Sequence, residues 1–289
     1  MKYRWSRGLP WGRHLGAPHA PRASLETLAA GRMNIVAVID NESTALSRAS
    51  DAVQHGADLL EIRCDLFEHV ETDIDRVVGI VKEIRSAVTV PIIGTIRKFS
   101  QFGKYTLDET VRTDAFKKLL PYCDIIDIED IATKTIPIVA IMVRDEKKLL
   151  IISHHNLFYT PDVSELQALA EKMVGQGADI VKIATAAMDN IETNFESVSR
   201  MMTFTRDFKA RHSRRRLLAS MVMGHTGAIS RILLPYIGSC LTYASIGDSD
   251  LGRTLGQIPV DELARYRSKY ESYDAIKPLL ASHRELVIT

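Results

Sequence analysis

Eight short apolar runs separated by amphipathic stretches constrain this chain more than any other feature. They lie at Ile35–Ile39, Leu59–Ile62, Pro91–Ile96, Ile125–Ile128, Leu149–Ile152, Ile180–Ala184, Leu217–Met223 and Leu241–Ile246. Each is nearly continuous in apolar residues instead of alternating, the pattern of parallel strands covered on both faces. Between them, sets such as Ile74, Val77, Val78, Val81 and Ile84, or Ile191, Phe195, Val198 and Met202, repeat at helical spacing. Thr160 and Pro161 supply an expected N-cap and first-turn proline for the helix after the fifth strand. Eight strand and helix units in about 250 residues favour a closed α/β (β/α)8 TIM barrel, with an open doubly wound sheet as the alternative.

Composition removes other classes. The chain has 289 residues, 46% of them hydrophobic, with 37 Lys and Arg against 36 Asp and Glu. It is too apolar to be disordered throughout and too evenly charged to point to a nucleic-acid partner. Arg214, Arg215 and Arg216, with His212 nearby, read as a solvated turn before the seventh strand. No run reaches the roughly 18 apolar residues of a membrane span. Cys64, Cys123 and Cys240 have neither metal-ligand spacing nor the even count of a disulfide framework, so a reducing, cytoplasmic location is expected.

The beginning of the chain differs from the rest. Its first 32 residues hold six basic groups and one acid, with Trp5, Trp11 and three prolines but no apolar periodicity. Such a lead imitates an organelle transit peptide, yet composition favours a disordered basic extension over residues 1–33 and a single barrel domain over 34–289.

An internal echo locates chemistry. His55-Gly56-Ala57-Asp58 leads into Leu59-Leu60-Glu61-Ile62-Arg63 much as Gln176-Gly177-Ala178-Asp179 leads into Ile180-Val181-Lys182-Ile183-Ala184. In both, a glycine stops a helix and an Ala-Asp turn opens a strand. Glu61 and Lys182 then share a register, and alternation puts Glu61, Arg63 and Lys182 on one face of their strands. The opposite face meets helices, where charge is costly, so these groups are expected to point into the barrel. Structural pairing at strand ends is the competing reading. A lysine amid Ile180, Val181, Ile183 and Ala184 loses its charge readily and becomes nucleophilic. Arg97, Asp127, Glu129 and the pair His154 and His155 fall at the same carboxyl edge of the strands, where barrel active sites gather. Only one histidine of an adjacent pair on a strand can face inward, and it would be the proton shuttle beside Lys182.

Six segments sharpen the picture. Ser153-His154-His155-Asn156-Leu157-Phe158-Tyr159-Thr160-Pro161, the strand Asp179 to Ala184, Met223-Gly224-His225-Thr226-Gly227-Ala228-Ile229-Ser230-Arg231, Gly256-Gln257-Ile258-Pro259-Val260, and the pairs Glu61/Arg63 and Thr95/Arg97 stand in order along the chain. Together they resemble type I 3-dehydroquinate dehydratase, a (β/α)8 enzyme of the shikimate pathway. The resemblance implies a homodimer without metal or organic cofactor, acting on the small molecule 3-dehydroquinate. It implies that Lys182 forms a Schiff base with the substrate ketone, that His155 moves protons, and that Glu61, Arg63, Arg97, Arg231 and Gln257 bind substrate. Arg231 is the candidate for the carboxylate, whereas Arg63 and Arg97 would bind hydroxyls and keep Lys182 uncharged by like-charge repulsion.

This chain departs from that pattern in places. Gln101 stands where a glutamate usually supports the histidine, and Arg253, with Thr254 beside it, replaces a lid serine. Asn156-Leu157 replaces Asp-Phe, and Ala37 replaces a first-strand serine. Two other readings stay open: another Schiff-base lyase such as a class I aldolase, with Gly224 to Gly227 as a phosphate loop, or a noncatalytic metabolite-binding barrel.

Overall fold

The computed structural model describes residues 23–29, 32–101, 103–187, 191–212, 215–247, 249, 252 and 254–284. Every expected apolar run is a strand: β1 (Ile35–Ile39), β2 (Leu59–Arg63), β3 (Ile92–Thr95), β4 (Ile125–Glu129), β5 (Leu149–Asn156), β6 (Ile180–Ala186), β7 (Leu217–Met223) and β8 (Thr242–Ser245). Adjacent strands from β1 to β7 pair in parallel, and β8 returns to pair with β1. The seam between β7 and β8 closes through a bridge of Leu218 with Ser239 and a 2.7 Å bond from the Cys240 amide to the Leu218 carbonyl. A two-residue strand, β9 (Ile258–Pro259), extends from β8.

Alternation along the strands divides the core in two. Ile35, Ala37, Leu60, Ile62, Ile126, Ile128, Val181 and Ile183 pack outward against the helices, while Val36, Val38, Leu59, Ile93, Ile125, Ile151, Ile180, Leu217 and Tyr243 pack together inside the barrel. Ala37 therefore faces the helices, and a hydroxyl there would not meet a substrate.

Both glycines of the echo adopt left-handed backbone, with φ of +102° at Gly56 and +101° at Gly177, as a helix stop requires. The aspartates that follow do more than turn the chain. The Asp58, Asp124 and Asp179 amides donate to the carbonyls of Ile35, Ile92 and Leu150. Their carboxylates accept, in return, from the amides of the same three residues at 2.9, 2.9 and 3.0 Å. Three strand pairs thus begin with the same reciprocal staple, which satisfies backbone groups that the parallel ladder leaves over.

Helices α2 (Ala45–Gln54), α3 (Ile74–Ala87), α4 (Glu109–Leu119), α5 (Ile136–Asp145), α6 (Val163–Gly175), α7 (Ile191–His212), α8 (Ser230–Ile237) and α9 (Val260–Arg284) occupy the crossovers and the C-terminal end. The α3 stripe is as expected, with Val77, Val81 and Ile84 buried. The α7 stripe is rotated from expectation: Val198, Met201, Phe204, Thr205 and Phe208 are buried, whereas Phe195 is 75% exposed. The cap of α6 is also displaced. Asp162, paired with Glu165 in a capping box, starts the helix, and buried Thr160 instead bonds Thr185 Oγ1 and the Ala186 carbonyl. A carboxylate two residues nearer the first turn reaches the free amides better than the threonine can.

Part of the segment ahead of Asn34 falls within the described residues. Residues 25–28 form α1 (Leu25–Leu28), capped by Ser24. Ala23 and Leu28 pack into the inner cluster, and Met33 is fully buried in the outer one. The Asn34 side chain ties α1 to the seam, donating to the Leu28 and Cys240 carbonyls. Residues 1–22 lie outside the described residues. Among the described residues, no helix is long and apolar enough to cross a membrane.

Candidate active site

Inside the barrel the lower layer is hydrocarbon and the next is polar. β2, β4, β5 and β6 contribute Glu61, Asp127, Ser153 and Lys182, and β3 contributes Thr95. The Lys182 amine, 3% exposed, donates to Glu61 Oε1 at 2.9 Å and to Asp127 Oδ2 at 2.8 Å. Thr95 donates to Glu61 at 3.0 Å, and Ser153 to Asp127 at 2.6 Å. Arg97 completes Asp127 from 3.0 Å. This bonding holds the Asp127 carboxyl well below its ordinary range: burial alone would raise it, but Lys182 and Arg97 outweigh that. The echo predicted that Glu61 and Lys182 share a register. They meet across the barrel.

Both arginines of this region reach carboxylates. Arg63 grips Asp65 through Nε at 2.9 Å and a terminal nitrogen at 2.8 Å, and Arg97 is shared with Asp127. The positive charge that the two arginines were expected to set against the amine is thus accompanied by carboxylates. The amine faces two carboxylates, Arg63 has Asp65 to itself and Arg97 shares Asp127 with the amine, because fixed charges in a dry interior require partners.

Above this layer stands the histidine. His155 lies on β5 two residues beyond Ser153, which is the register partner of Lys182 on β6. The inward position falls to His155, for His154 turns away and meets Asp130 through Nδ1 at 3.0 Å. Burial, reinforced by the positive charges of Arg97 and Lys182, holds His155 well below its ordinary 6.5, which leaves a neutral imidazole able to accept a proton. Its Nδ1 is buried without a hydrogen-bond partner among the described residues. Gln101 does not supply one, since its carbonyl oxygen accepts from the His155 backbone amide at 3.3 Å. Nor does Glu129, which takes the Lys98 amide at 2.8 Å and the guanidinium of Arg112. Asn156 turns the chain after the histidine by accepting from the amides of Phe158 and Tyr159.

The opposite wall is built by the last quarter of the chain. Arg231, at the start of α8, is 2% exposed and donates to the carbonyls of Gly256 (2.9 Å), Leu255 (2.7 Å) and Tyr243 (3.2 Å). Among the described residues it pairs with no carboxylate, and burial pushes it down to about 10. It also meets the Met221 sulfur at 3.7 Å, and a buried cation with only neutral partners is suited to receiving an anion. Gly256 is suited to this position: its φ is +61°, and a Cβ there would lie 2.1 Å from the Gly224 carbonyl oxygen. Gln257 follows it, half-buried, at the head of β9. Thr254 is exposed, and Arg253 lies outside the described residues.

Comparison with known proteins gives the family. The type I 3-dehydroquinase model matches residues 35–272. The chain belongs to that family. The 3-dehydroquinate dehydratase of Methanosarcina mazei is 33% identical over 235 residues, covering 80% of this chain and 92% of that protein. Among solved structures, the type I 3-dehydroquinate dehydratase of Clostridium difficile, with covalently modified comenic acid, has a TM-score of 0.74 at 26% identity. It covers 84% of this chain and 93% of its own. The Geobacillus kaustophilus 3-dehydroquinate dehydratase also has a TM-score of 0.74, at 28% identity over 83% of this chain and 92% of its own.

Three groups in this cluster carried no assigned role from the sequence. Asp127 was placed at a strand end but given no role, although an acid within Ile125-Ile126-Asp127-Ile128 carries the same signal as Lys182 within its own run. Ser153 and Tyr243 gave no such signal, because a small hydroxyl and an aromatic ring are ordinary core residues.

Proposed function

We propose that this type I 3-dehydroquinase removes water from 3-dehydroquinate to give 3-dehydroshikimate through an imine on Lys182. The activity is that of a hydro-lyase in the shikimate pathway. One observation carries the reading of the site. A lysine amine lies in the barrel interior between two carboxylates, one layer below an inward imidazole on the neighbouring strand.

Lys182 adds to the ketone carbon, and loss of the carbonyl oxygen as water leaves a cationic iminium. That cation draws electrons from the adjacent C–H bond, so neutral His155 removes the proton and an enamine forms. The enamine electrons expel the hydroxyl at the next carbon, and the imidazolium returns its proton to the departing oxygen. Water then hydrolyses the imine, releasing product and free amine. Glu61 and Asp127 lie within proton-transfer distance of Nζ and are the acceptors for the proton it gives up on attack. Arg231 binds the substrate carboxylate, with Gln257 beside it, while Arg63 and Arg97 address hydroxyls. A homodimer and a cytoplasmic location are part of this proposal, the latter supported by three free, buried cysteines.

Borohydride treatment in the presence of 3-dehydroquinate tests the site. Mass spectrometry should place a reduced adduct on the peptide that contains Lys182, and Lys182→Ala should lose both adduct and turnover. Dehydration at the parental rate by Lys182→Ala would end the assignment.

A further inference from the structure

Tyr243 belongs to the apolar run of β8, and none of the roles above uses it. Its side chain is 2% exposed and points into the barrel. Lys182 Nζ lies over its ring, 4.0 Å from the centroid. The nitrogen is therefore enclosed on three sides, by Glu61, by Asp127 and by an aromatic face. An aromatic face attracts a cation through its quadrupole, most strongly where water is excluded. The same residue also touches the second functional group, for its main-chain carbonyl accepts from Arg231 at 3.2 Å. Its hydroxyl is buried with no hydrogen-bond partner among the described residues. The ring and the carbonyl, then, make the two contacts, and the hydroxyl makes neither.

We propose that Tyr243 is a positioning residue that fixes the reacting nitrogen of Lys182 with its ring and the anion-binding Arg231 with its backbone, and so sets the distance between the two. The iminium that replaces the ammonium is also a cation at the same nitrogen, so the ring holds it in the orientation from which His155 removes the neighbouring proton. Errors of about an ångström in such placement cost roughly a hundredfold in rate.

This inference rests on the imine reading, and the experiment separates the two. The rate of borohydride-trapped adduct formation with 3-dehydroquinate, kcat and KM are measured for the parent and three variants. Tyr243→Phe keeps the ring and should trap within about twofold of the parent. Tyr243→Leu removes the ring and should trap and turn over about tenfold more slowly. Its KM should change little, because the carbonyl that holds Arg231 remains. Pentafluorophenylalanine at position 243, installed by nonsense suppression, keeps the shape but reverses the quadrupole. It should behave as the leucine variant does, which removes misfolding as an explanation. Parental trapping by the leucine and pentafluorophenylalanine proteins would overturn the proposal. So would a phenylalanine variant as impaired as the leucine one, for that would place the effect on the hydroxyl. Absence of any adduct on parental Lys182 would instead overturn the imine reading beneath it.

Discussion

A lysine can sit at the centre of this barrel because its neighbours are charged too. Glu61, Asp127, Arg97 and Arg63 with Asp65 form a buried set in which each cation meets a carboxylate, and breaking one member leaves its partner stranded. His155 is the exception, with an imidazole nitrogen that nothing in the described residues engages. His155→Ala should therefore still form the trapped adduct on Lys182, while kcat falls by about a hundredfold or more. Position 101 gives a finer test. Gln101→Glu adds negative charge near the imidazole and should raise its pKa. Because the neutral ring is the base, activity falls as pH drops through that pKa. Burial holds this imidazole well below 6.5 in the parent, so the acid limb of kcat/KM is expected below that pH there and should move upward in the variant. An unmoved limb would show that the side chain at 101 does not reach the ring. The depressed histidine also affects folding: below pH 6.5 the unfolded chain takes the proton before the folded one does, so this group disfavours the fold increasingly in acid until its folded pKa is passed. Lys182 was legible because a charge inside an apolar run demands an explanation. The empty Nδ1 was not, because what reaches a side-chain nitrogen is a property of the fold.

At the level of elements, the strands were legible almost residue by residue and the helix faces less so. A buried parallel strand is apolar throughout, so its run marks its extent. A helix stripe can turn by one position without changing its composition, and α7 buries Met201 and Phe208 where Phe195 and Met202 had looked equally suited. α4 hides the group hardest to foresee. Arg112 is completely buried, and its guanidinium meets Glu129 at the end of β4 and Glu109 at 3.3 Å. Glu129 in turn accepts from the amide of Lys98, whose side chain meets Glu109 at 2.9 Å. An arginine on a helix that otherwise reads as amphipathic passes for a solvated one. Arg112→Leu should leave Glu129 as a buried carboxylate without its cation and cost about 3–5 kcal/mol, read from urea unfolding. Loss of less than about 1 kcal/mol would mean that the segment after β3 re-forms around another cation.

In the whole molecule, the two ends of the barrel divide the work. The carboxyl ends of the strands carry Arg63, Arg97, Glu129 and His155, while the amino ends carry the aspartate staples and α1. Leu28→Ala should accordingly lower stability by about 2–4 kcal/mol, measured by denaturant unfolding, with kcat unchanged at temperatures where the variant stays folded. A fall in kcat without a change in stability would contradict that division. The barrel itself was legible from the number of runs and their spacing, but the inclusion of α1 was not, since four residues within a basic lead show no periodicity. The seam has a further meaning for biosynthesis. Glu61, Asp127, His155 and Lys182 all precede the stretch that supplies Arg231, Tyr243 and Gln257, and Asn34 must await Cys240 before the floor is tied. A nascent chain halted on the ribosome after β6 would hold the nucleophile and its base but neither the anion receptor nor the final wall, so competence arrives only with the last strands to emerge.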